Sequence, residues 1–239
     1  MSMRPHEGAD ADVVHVWLAG DDVPEPALTR MHALLDAEEQ RRAAAFLRPD
    51  HRRRFIVAHA AARSIVGARL GVPAEQIRWR IGPHGKPSVA GPHPGPDSAP
   101  RAGIEVNLSH SGSLCAVAVS ATRPVGVDVQ RLCPGMDVAA MARRYFAAPE
   151  VAFVLADTSP EVRSSRFIRL WARKEAMVKA AGGRLLRGMP VSVLDRSVVD
   201  FDDRAHRLAD LTAPAGFHAA VALGGDRPYH VVESWWSSR

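Results

Sequence analysis

The sequence has few cysteines and no long apolar run. Two of its 239 residues are cysteines, Cys115 and Cys133, and neither has a CxxC or Cys/His neighbour. This indicates neither a disulfide framework nor a zinc site. No apolar stretch approaches the roughly 18 residues of a membrane span, and residues 1–14 lack the apolar core of a signal peptide. We therefore expect a cytoplasmic protein that does not use a membrane.

Aromatic residues are also scarce, at 6% of the chain, whereas 31 basic residues against 26 acidic ones give a net charge of +5. A basic surface favours phosphates, nucleic acid or acidic proteins as partners. Because the arginines are scattered and no nucleic-acid-binding motif is present, the sequence disfavours DNA or RNA binding. An arginine-rich genome would produce the same charge, so charge alone selects no partner.

The hydrophobic content of 46% is enough to bury a core, as one large domain or as two small halves. Alternating or β-branched runs predict strands, and longer periodic stretches predict helices, so the fold class is α+β. A short linker at 121–124 divides the chain into halves of similar size, 1–122 and 123–239. The predicted strands are 13–18, 77–81, 104–108, 114–120, 125–130, 217–223 and 229–233, and the predicted helices are 27–47, 51–70, 137–146 and 164–181, the last opening after Ser164 or Ser165.

Charged residues interrupt an otherwise apolar helix in the stretch LWARKEAMVKAAGG, residues 170–183. The helical period places Trp171, Glu175 and Lys179 on one stripe, four residues apart. One explanation of Glu175 and Lys179 is a solvated ion pair, which contributes about 0.3–0.5 kcal/mol. The apolar neighbours favour a different position, at the edge of a cleft.

A second feature is the strand VGVDVQRL, residues 125–132. Strand alternation sends Val127 and Val129 to one face and Asp128 and Gln130 to the other. Alone this is a half-exposed strand with polar residues outward. Opposite Glu175, however, the same face becomes a site for a hard cation such as Mg²⁺, which prefers carboxylate and other oxygen ligands.

A third feature is a polar turn predicted between two strands in NLSHSGSLCAVAVS, residues 107–120. His110 is expected in this turn. With Ser109 and Gly112 it could hold a phosphate through hydroxyl and backbone N–H groups, although polar surface is the simpler explanation. The sequence HGKP, 84–87, places Lys86 in another tight turn.

Together, these motifs resemble those of the 4′-phosphopantetheinyl transferases of the larger, Sfp-like class. That family shows GKP, then N-[LI]-S-H-S, then G-[IV]-D-[IV]-E, and then W-x-x-K-E-A-x-x-K-x-x-G. Four motifs in the family's order are specific evidence, whereas any one of them would be weak. The resemblance runs from about residue 46 to residue 193. The matching stretches are GKP at 85–87, NLSHS at 107–111, GVDVQ at 126–130 and WARKEAMVKAAG at 171–182.

The resemblance implies a pseudo-twofold arrangement of two similar α/β halves, with the active site in the cleft between them. It implies transfer of the phosphopantetheine arm of coenzyme A to a serine of an acyl- or peptidyl-carrier protein, with release of adenosine 3′,5′-bisphosphate. Mg²⁺, or Mn²⁺ in its place, would be the metal, and the protein would be a monomer. The first half would carry the coenzyme A-binding turns and the second the metal ligands.

The resemblance also implies roles for single residues in the reaction. Asp128 and Glu175 match the family's metal carboxylates. Glu175 would also take the proton of the incoming serine, directly or through a metal-bound water. Lys179 matches the residue that stabilises or protonates the leaving phosphate, and Lys174 would contact phosphate too.

Other matched positions imply coenzyme A contacts. His110 matches the histidine that holds the 3′-phosphate, with Ser109 beside it, and Lys86 matches a lysine on the nucleotide's phosphates. The stretch DHRRRFIVAHAAAR, 50–63, resembles a basic helix that reaches the adenosine end. Its candidates are Arg53, Arg54 and Arg63, for which solvated surface is an equally open explanation.

One residue departs from the family pattern. Gln130 stands where most relatives have a second acid, so the site loses a negative charge, although an amide oxygen can still coordinate Mg²⁺. We expect activity with altered metal affinity. The alternative that Gln130 leaves open is a coenzyme A-binding protein without turnover. The sequence selects neither a carrier protein nor a fatty-acid, polyketide or nonribosomal-peptide pathway.

Overall fold

A computed structural model describes residues 13–90, 104–133 and 135–237. Residues 1–12, which make up most of the N-terminal stretch where we expect no signal peptide, lie outside the described residues. Within the described residues, no helix is long and apolar enough to cross a membrane. The elements are β1 (Val13–Gly20), α1 (Glu25–Ala33), α2 (Ala37–Ala44), α3 (Pro49–Leu70), a short 3-10 helix (Ala74–Gln76), β2 (Trp79–Ile81), β3 (Pro87–Val89), β4 (Glu105–Ser111), β5 (Leu114–Ser120), β6 (Val125–Arg131), α4 (Val138–Tyr145), α5 (Ala148–Leu155), α6 (Pro160–Ala181), α7 (Leu185–Gly188), β7 (Val198–Phe201), β8 (Arg204–Leu211), β9 (Phe217–Gly224) and β10 (His230–Trp235).

The strands form two four-stranded sheets with the same internal pattern, plus the β2–β3 hairpin. In the first sheet β1 pairs with β5 and β5 with β4, both antiparallel, and β10 adds a parallel edge beside β1. In the second sheet β6 pairs with β9 and β9 with β8 in the same way, and β7 follows β8. A 22-residue helix accompanies each sheet, α3 in the first half and α6 in the second. The predicted α+β class with two similar halves is confirmed.

The two sheets share one apolar core and each packs its other face on a long helix. Apolar side chains of β1, β5, β6 and β9, among them Val16, Val127 and Val221, meet in one cluster between the sheets. The opposite face of β5, with Val117 and Val119, packs against α3. The opposite face of the second sheet packs against α6. Side chains of β6 that do not point into the shared core therefore point toward α6.

Side chains of β4 join the edges of the two sheets. The backbone N–H of Val127 donates to Asn107 Oδ1 at 2.9 Å, and that of Arg131 donates to Ser111 Oγ at 3.1 Å. Between them the N–H of Val129 faces Ser109 Oγ at 3.4 Å. Edge strands need partners for their free N–H groups, and alternating polar residues supply them here. The NLSHS motif therefore connects the two halves.

The structure confirms all seven predicted strands, with ends that differ by a few residues, and corrects two helices. Residues 27–47 form α1 and α2, because Asp36 begins a new helix with a capping box to Glu39. The helix predicted to open after Ser164 or Ser165 begins at Pro160, capped by Ser159. Helices α5 and α7 and strands β3, β7 and β8 were not predicted.

Candidate active site

The site forms where β6 crosses the backbone of α6. At Gly126 an added Cβ would lie 2.1 Å from the carbonyl oxygen of Ala176 and 2.3 Å from the nitrogen of Ala180. A residue with a side chain cannot approach a helix this closely without displacing it, so the glycine is needed for the contact. Two residues further along β6, Asp128 lies beside the polar side chains of α6.

Three polar side chains donate hydrogen bonds to Asp128, whose side chain is 1% exposed. The Lys179 ammonium donates to Asp128 Oδ1 at 2.6 Å and lies 3.5 Å from Glu175 Oε2. Ser109 donates its hydroxyl to Asp128 Oδ1 at 2.7 Å, and Gln130 donates its amide N–H to Oδ2 at 2.9 Å. Five residues from three elements, β4, β6 and α6, thus converge on one polar cluster.

Glu175 is held by two partners at the edge of this cluster. Trp171, one turn earlier on α6, donates its indole N–H to Glu175 Oε1 at 2.8 Å, and Lys179 lies one turn later. The Glu175 side chain is 18% exposed and that of Lys179 is 27% exposed, so both lie between core and solvent. This Glu–Lys pair is not an isolated surface pair, because the ammonium also bonds to Asp128.

The charges of the cluster alter how its members bind protons. Burial, with the negative Asp128 nearby, raises the pKa of Glu175, although Lys179 and the Trp171 hydrogen bond oppose this. Burial alone would lower the pKa of Lys179, but Asp128 and Glu175 outweigh it and raise that pKa. Lys179 therefore stays charged, and Glu175 accepts a proton more readily than an ordinary glutamate.

The donor set fits a divalent cation. Two carboxylates, Asp128 and Glu175, repel one another and share the positive charge of Lys179, and the Gln130 amide adjoins Asp128. These are hard oxygen donors of the kind that Mg²⁺ prefers. In the described parts of the chain, no group of three or more His, Cys, Asp and Glu side chains is arranged to hold a metal. A metal here would therefore use the carboxylate pair and the amide.

A cavity of about 450 Å³ opens next to the cluster, lined by residues of both predicted halves. Lys86, Asn107 and His110 line it from the first half, and Lys179 and Gly182 line it from the second. Two of the predicted binding residues, Lys86 and His110, therefore share one cavity with Lys179 of the Asp128 cluster.

His110 lies in β4, not in a turn as the sequence predicted. It pairs with Cys115 of β5, and the turn follows at Gly112, which takes the left-handed conformation with φ of 57°. Loss of solvent around the imidazole lowers the pKa of His110, and the positive charges of Lys179, His59 and Arg54 lower it further. His110 thus lies among positive groups, as an anion-binding residue would.

Lys86 joins the GKP turn to the end of α6. Its ammonium donates to the carbonyl of Ala180 at 3.1 Å and lies 3.6 Å from Glu105. Burial lowers the pKa of Lys86, an effect that Glu105 opposes. The side chain remains at the wall of the cavity.

The arginines predicted at the adenosine end lie in three different environments. Arg54 pairs with Asp21 and Asp50, and it shares a small recess with His110. Arg53 bonds to Val23 O at 2.6 Å and to Glu25, outside the cavity. Arg63 is 0% exposed and lies inside the first half.

Arg63 and Lys174 have protein partners in place of a ligand. Arg63 bonds to Asp36, to Glu39 and to two backbone carbonyls, which uses its guanidinium inside the first half. Lys174 is also 0% exposed, and its ammonium pairs with the equally buried Glu150 at 2.6 Å. Neither charged group reaches the cavity, so we leave both residues out of the proposed site.

The cavity also has lining residues that the sequence analysis did not select. Arg42 of α2 and His59 of α3 belong to its wall, with Asn107 of β4. The signal that could have identified α2 is the spacing of Asp36 and Glu39, three residues apart, which is typical of a capping box. Arg42 of α2 and His59 of α3 line the same cavity.

Comparisons with known proteins match nearly the whole described chain. A family model described as "4'-phosphopantetheinyl transferase, N-terminal" matches residues 24–122, and one described as "4'-phosphopantetheinyl transferase superfamily" matches residues 124–231. The 4'-phosphopantetheinyl transferase HetI of Nostoc sp. is 37% identical over 172 residues, which cover 72% of this chain and 70% of the relative. A putative 4'-phosphopantetheinyl transferase of Synechocystis sp., slr0495, is 29% identical over 78% of this chain and 72% of its own length. Sfp of Bacillus subtilis is 25% identical over 64% of this chain and 62% of its own length.

Proposed function

Because this chain belongs to the 4′-phosphopantetheinyl transferase superfamily, an enzyme family, we propose that it modifies an apo acyl- or peptidyl-carrier protein. In the proposed reaction the 4′-phosphopantetheine of coenzyme A moves to a carrier serine, giving holo carrier protein and adenosine 3′,5′-bisphosphate. The observation that supports this most is the convergence of Asp128, Glu175 and Lys179 across the contact of β6 with α6. Phosphoryl transfer requires such a site, with acidic groups, a fixed cation and a proton acceptor together.

The chemistry assigns one step to each of two α6 side chains. The serine oxygen attacks the β-phosphorus of the coenzyme A pyrophosphate, and the bond from that phosphorus to the bridging oxygen breaks. Glu175 accepts the serine proton, a role that its raised pKa supports. Lys179, whose pKa is raised, remains charged and donates to the leaving phosphate oxygen. Trp171 keeps the Glu175 carboxylate in one orientation through its N–H.

The proposed metal ligands are Asp128, Glu175 and the amide oxygen of Gln130. A bound Mg²⁺, or Mn²⁺, would neutralise charge on the pyrophosphate. Ser109 fixes the Asp128 carboxylate by donating to it, and Lys179 balances its charge. Gln130 contributes no negative charge of its own.

We propose that coenzyme A occupies the 450 Å³ cavity, with its 3′-phosphate near His110. Lys86 at the cavity wall would meet the nucleotide's phosphates, and Arg54 adjoins His110 through the neighbouring recess. Arg53, already bonded to Glu25, is the weaker arginine candidate. Together these residues place positive charge where a nucleotide's phosphates need it.

The organisation that we propose is a cytoplasmic monomer divided near residues 121–124, where β5 leads to β6. Both cysteines are free thiols, which fits a reducing compartment. The first half would contribute most of the coenzyme A cavity and the second would contribute the metal ligands. The carrier would deliver its serine to the cluster from solvent.

The test incubates the protein with coenzyme A, Mg²⁺ and apo carrier domains from fatty-acid, polyketide and nonribosomal-peptide systems. Intact mass spectrometry should show a carrier that gains one phosphopantetheine group. Asp128→Asn and a magnesium-free reaction should each suppress the gain. Coenzyme A binding without a mass gain on any carrier would contradict the proposal and would leave a binding protein without turnover.

A further inference from the structure

A second cavity, of about 680 Å³, adjoins the one that we assign to coenzyme A. The two cavities share Lys86 and Gly182, but none of Asp128, Glu175 and Lys179 is among the described residues that line the second. Its walls are mainly proline, alanine and glycine residues of the β2–β3 hairpin, the end of α6, β8 and the end of β9. Small-molecule sites usually have a volume of about 300–1,000 Å³ and apolar walls with a few polar groups. The second cavity therefore has the size and the walls of a ligand site.

His206 of β8 lines this cavity and carries a buried hydrogen-bond acceptor. The residue is 1% exposed, and its Nε2 lies 3.3 Å from the carbonyl oxygen of Phe201. A carbonyl only accepts hydrogen bonds, so Nε2 carries the proton and Nδ1 presents a lone pair. Loss of solvent lowers the pKa of His206, and the positive charges of Arg204 and Lys86 lower it further although the Phe201 hydrogen bond opposes this, so the ring stays neutral. Nδ1 is buried and has no hydrogen-bond partner among the described residues, so a donor on a ligand would stabilise it.

Arg204 brings a positive charge to the same cavity. It lies two residues before His206 in β8, so strand alternation places both side chains on one face of the strand. Arg204 is exposed, and its guanidinium forms no hydrogen bond or ion pair with the residues that the structure describes. Glu105, the acidic residue of the described lining, lies 3.6 Å from Lys86 instead. The charge of Arg204 is therefore available to an anionic ligand.

We propose that this cavity binds a phosphate monoester that also carries hydroxyl groups, such as a sugar phosphate or a nucleoside monophosphate. The phosphate would pair with Arg204, and a hydroxyl of the ligand would donate to Nδ1 of His206. An anion that only accepts hydrogen bonds would leave Nδ1 without a donor, and an uncharged sugar would leave Arg204 without a counter-charge. The two groups together therefore select a ligand that has both features, and the small apolar residues of the walls would cover its sugar or base. The inference goes beyond the proposed reaction, which does not use this cavity.

The test measures the binding of ribose 5-phosphate and adenosine 5′-monophosphate to the whole protein by titration calorimetry. Inorganic phosphate and ribose serve as probes that each lack one part of the proposed ligand. The wild type should bind at least one of the phosphorylated sugars about tenfold more tightly than either part. Arg204→Gln should remove that preference over ribose. His206→Phe has no acceptor and should lower the affinity for the phosphorylated sugar more than the affinity for inorganic phosphate.

Two control variants show which cavity the probe occupies. Arg30→Gln removes an exposed arginine of α1 outside the described lining of both cavities and should bind the probes as the wild type does. His110→Gln alters the coenzyme A cavity and should leave the affinity for the phosphorylated sugar unchanged. Affinity lost in His110→Gln but kept in Arg204→Gln would place the probe in the coenzyme A cavity and overturn the inference. A wild type that binds no phosphorylated sugar more tightly than inorganic phosphate would overturn it too, whereas the proposed function is tested separately by carrier modification.

Discussion

Gly126→Ala tests whether the close contact of β6 with α6 positions the site. The new methyl carbon would lie 2.1 Å from the carbonyl oxygen of Ala176, whereas a carbon–oxygen contact needs about 3.3 Å. Its second contact, 2.3 Å, is with the backbone nitrogen of Ala180. Because both atoms belong to the helix backbone, no side-chain rotation relieves the clash. Strand and helix must separate by about 1 Å, and Asp128 moves with the strand.

Two measurements follow from that displacement. Overpacking of this kind costs about 1–3 kcal/mol in the free energy of unfolding, and a 1 Å misplacement of reacting groups can lower a rate by about 10²-fold. We expect both losses for Gly126→Ala, measured by urea unfolding and by the initial rate of carrier modification on folded protein. Gly20→Ala is the control, because its nearest contact would be 4.0 Å away. A folded Gly126→Ala protein with wild-type stability and rate would refute the reasoning.

Three further predictions concern single contacts. His110→Ala should lower the affinity for coenzyme A, measured by calorimetry, more than the affinity for 3′-dephospho-coenzyme A. Equal losses of affinity for both ligands would show that His110 does not contact the 3′-phosphate. Lys174→Met leaves the Glu150 carboxylate buried without its charged partner and should lower the free energy of unfolding, measured with urea, by about 3–5 kcal/mol. The double variant Lys174→Met, Glu150→Gln should recover most of that loss. A stable Lys174→Met protein would contradict that pairing. Trp171→Phe removes the N–H that holds Glu175 and should lower kcat about tenfold with little change in stability, so an unchanged kcat would count against the positioning role.

Strand and helix periodicity predicted the relation of β6 to its neighbours. Alternation put Val127 and Val129 on the face that now lies between the sheets, and Asp128 on the face toward α6. The helical period put Glu175 and Lys179 together. These relations are local, so a single sequence contains them. That Asp128 and Glu175 share one site came from the family resemblance, because periodicity carries no information about contacts between distant segments. The contact of β6 with α6 at Gly126 was not predicted.

The β7–β8 hairpin shows what local patterns miss. Its two-residue loop is Asp202-Asp203, with φ of 54° and 58°, both in the left-handed region. Hairpin loops of this geometry usually contain asparagine or glycine, so an Asp-Asp pair gives a weak signal. The strands themselves carry several charged residues, which hid their alternation.

Long-range pairing limited the prediction of the binding residues. The chain contains three lysines, Lys86, Lys174 and Lys179, and each of them lies in a motif. Their motif positions alone could not distinguish them. Lys174 meets Glu150 of α5, whereas Lys179 meets Asp128, and both partners lie far away in sequence. Arg63 was likewise selected as a ligand residue because its acidic partners in α2 could not be recognised.

The most direct test of the two-carboxylate site compares rates of carrier modification for Glu175→Gln and Gln130→Ala. Glu175 serves as metal ligand and proton acceptor, so Glu175→Gln should lower turnover by at least about 10²-fold while the protein stays folded. Gln130 is neutral already, so Gln130→Ala should lower turnover less than Glu175→Gln does. Gln130→Glu should tighten metal binding or shift the preference between Mg²⁺ and Mn²⁺. If Gln130→Ala lowered turnover as much as Glu175→Gln, with both proteins folded, the site that we propose would be wrong.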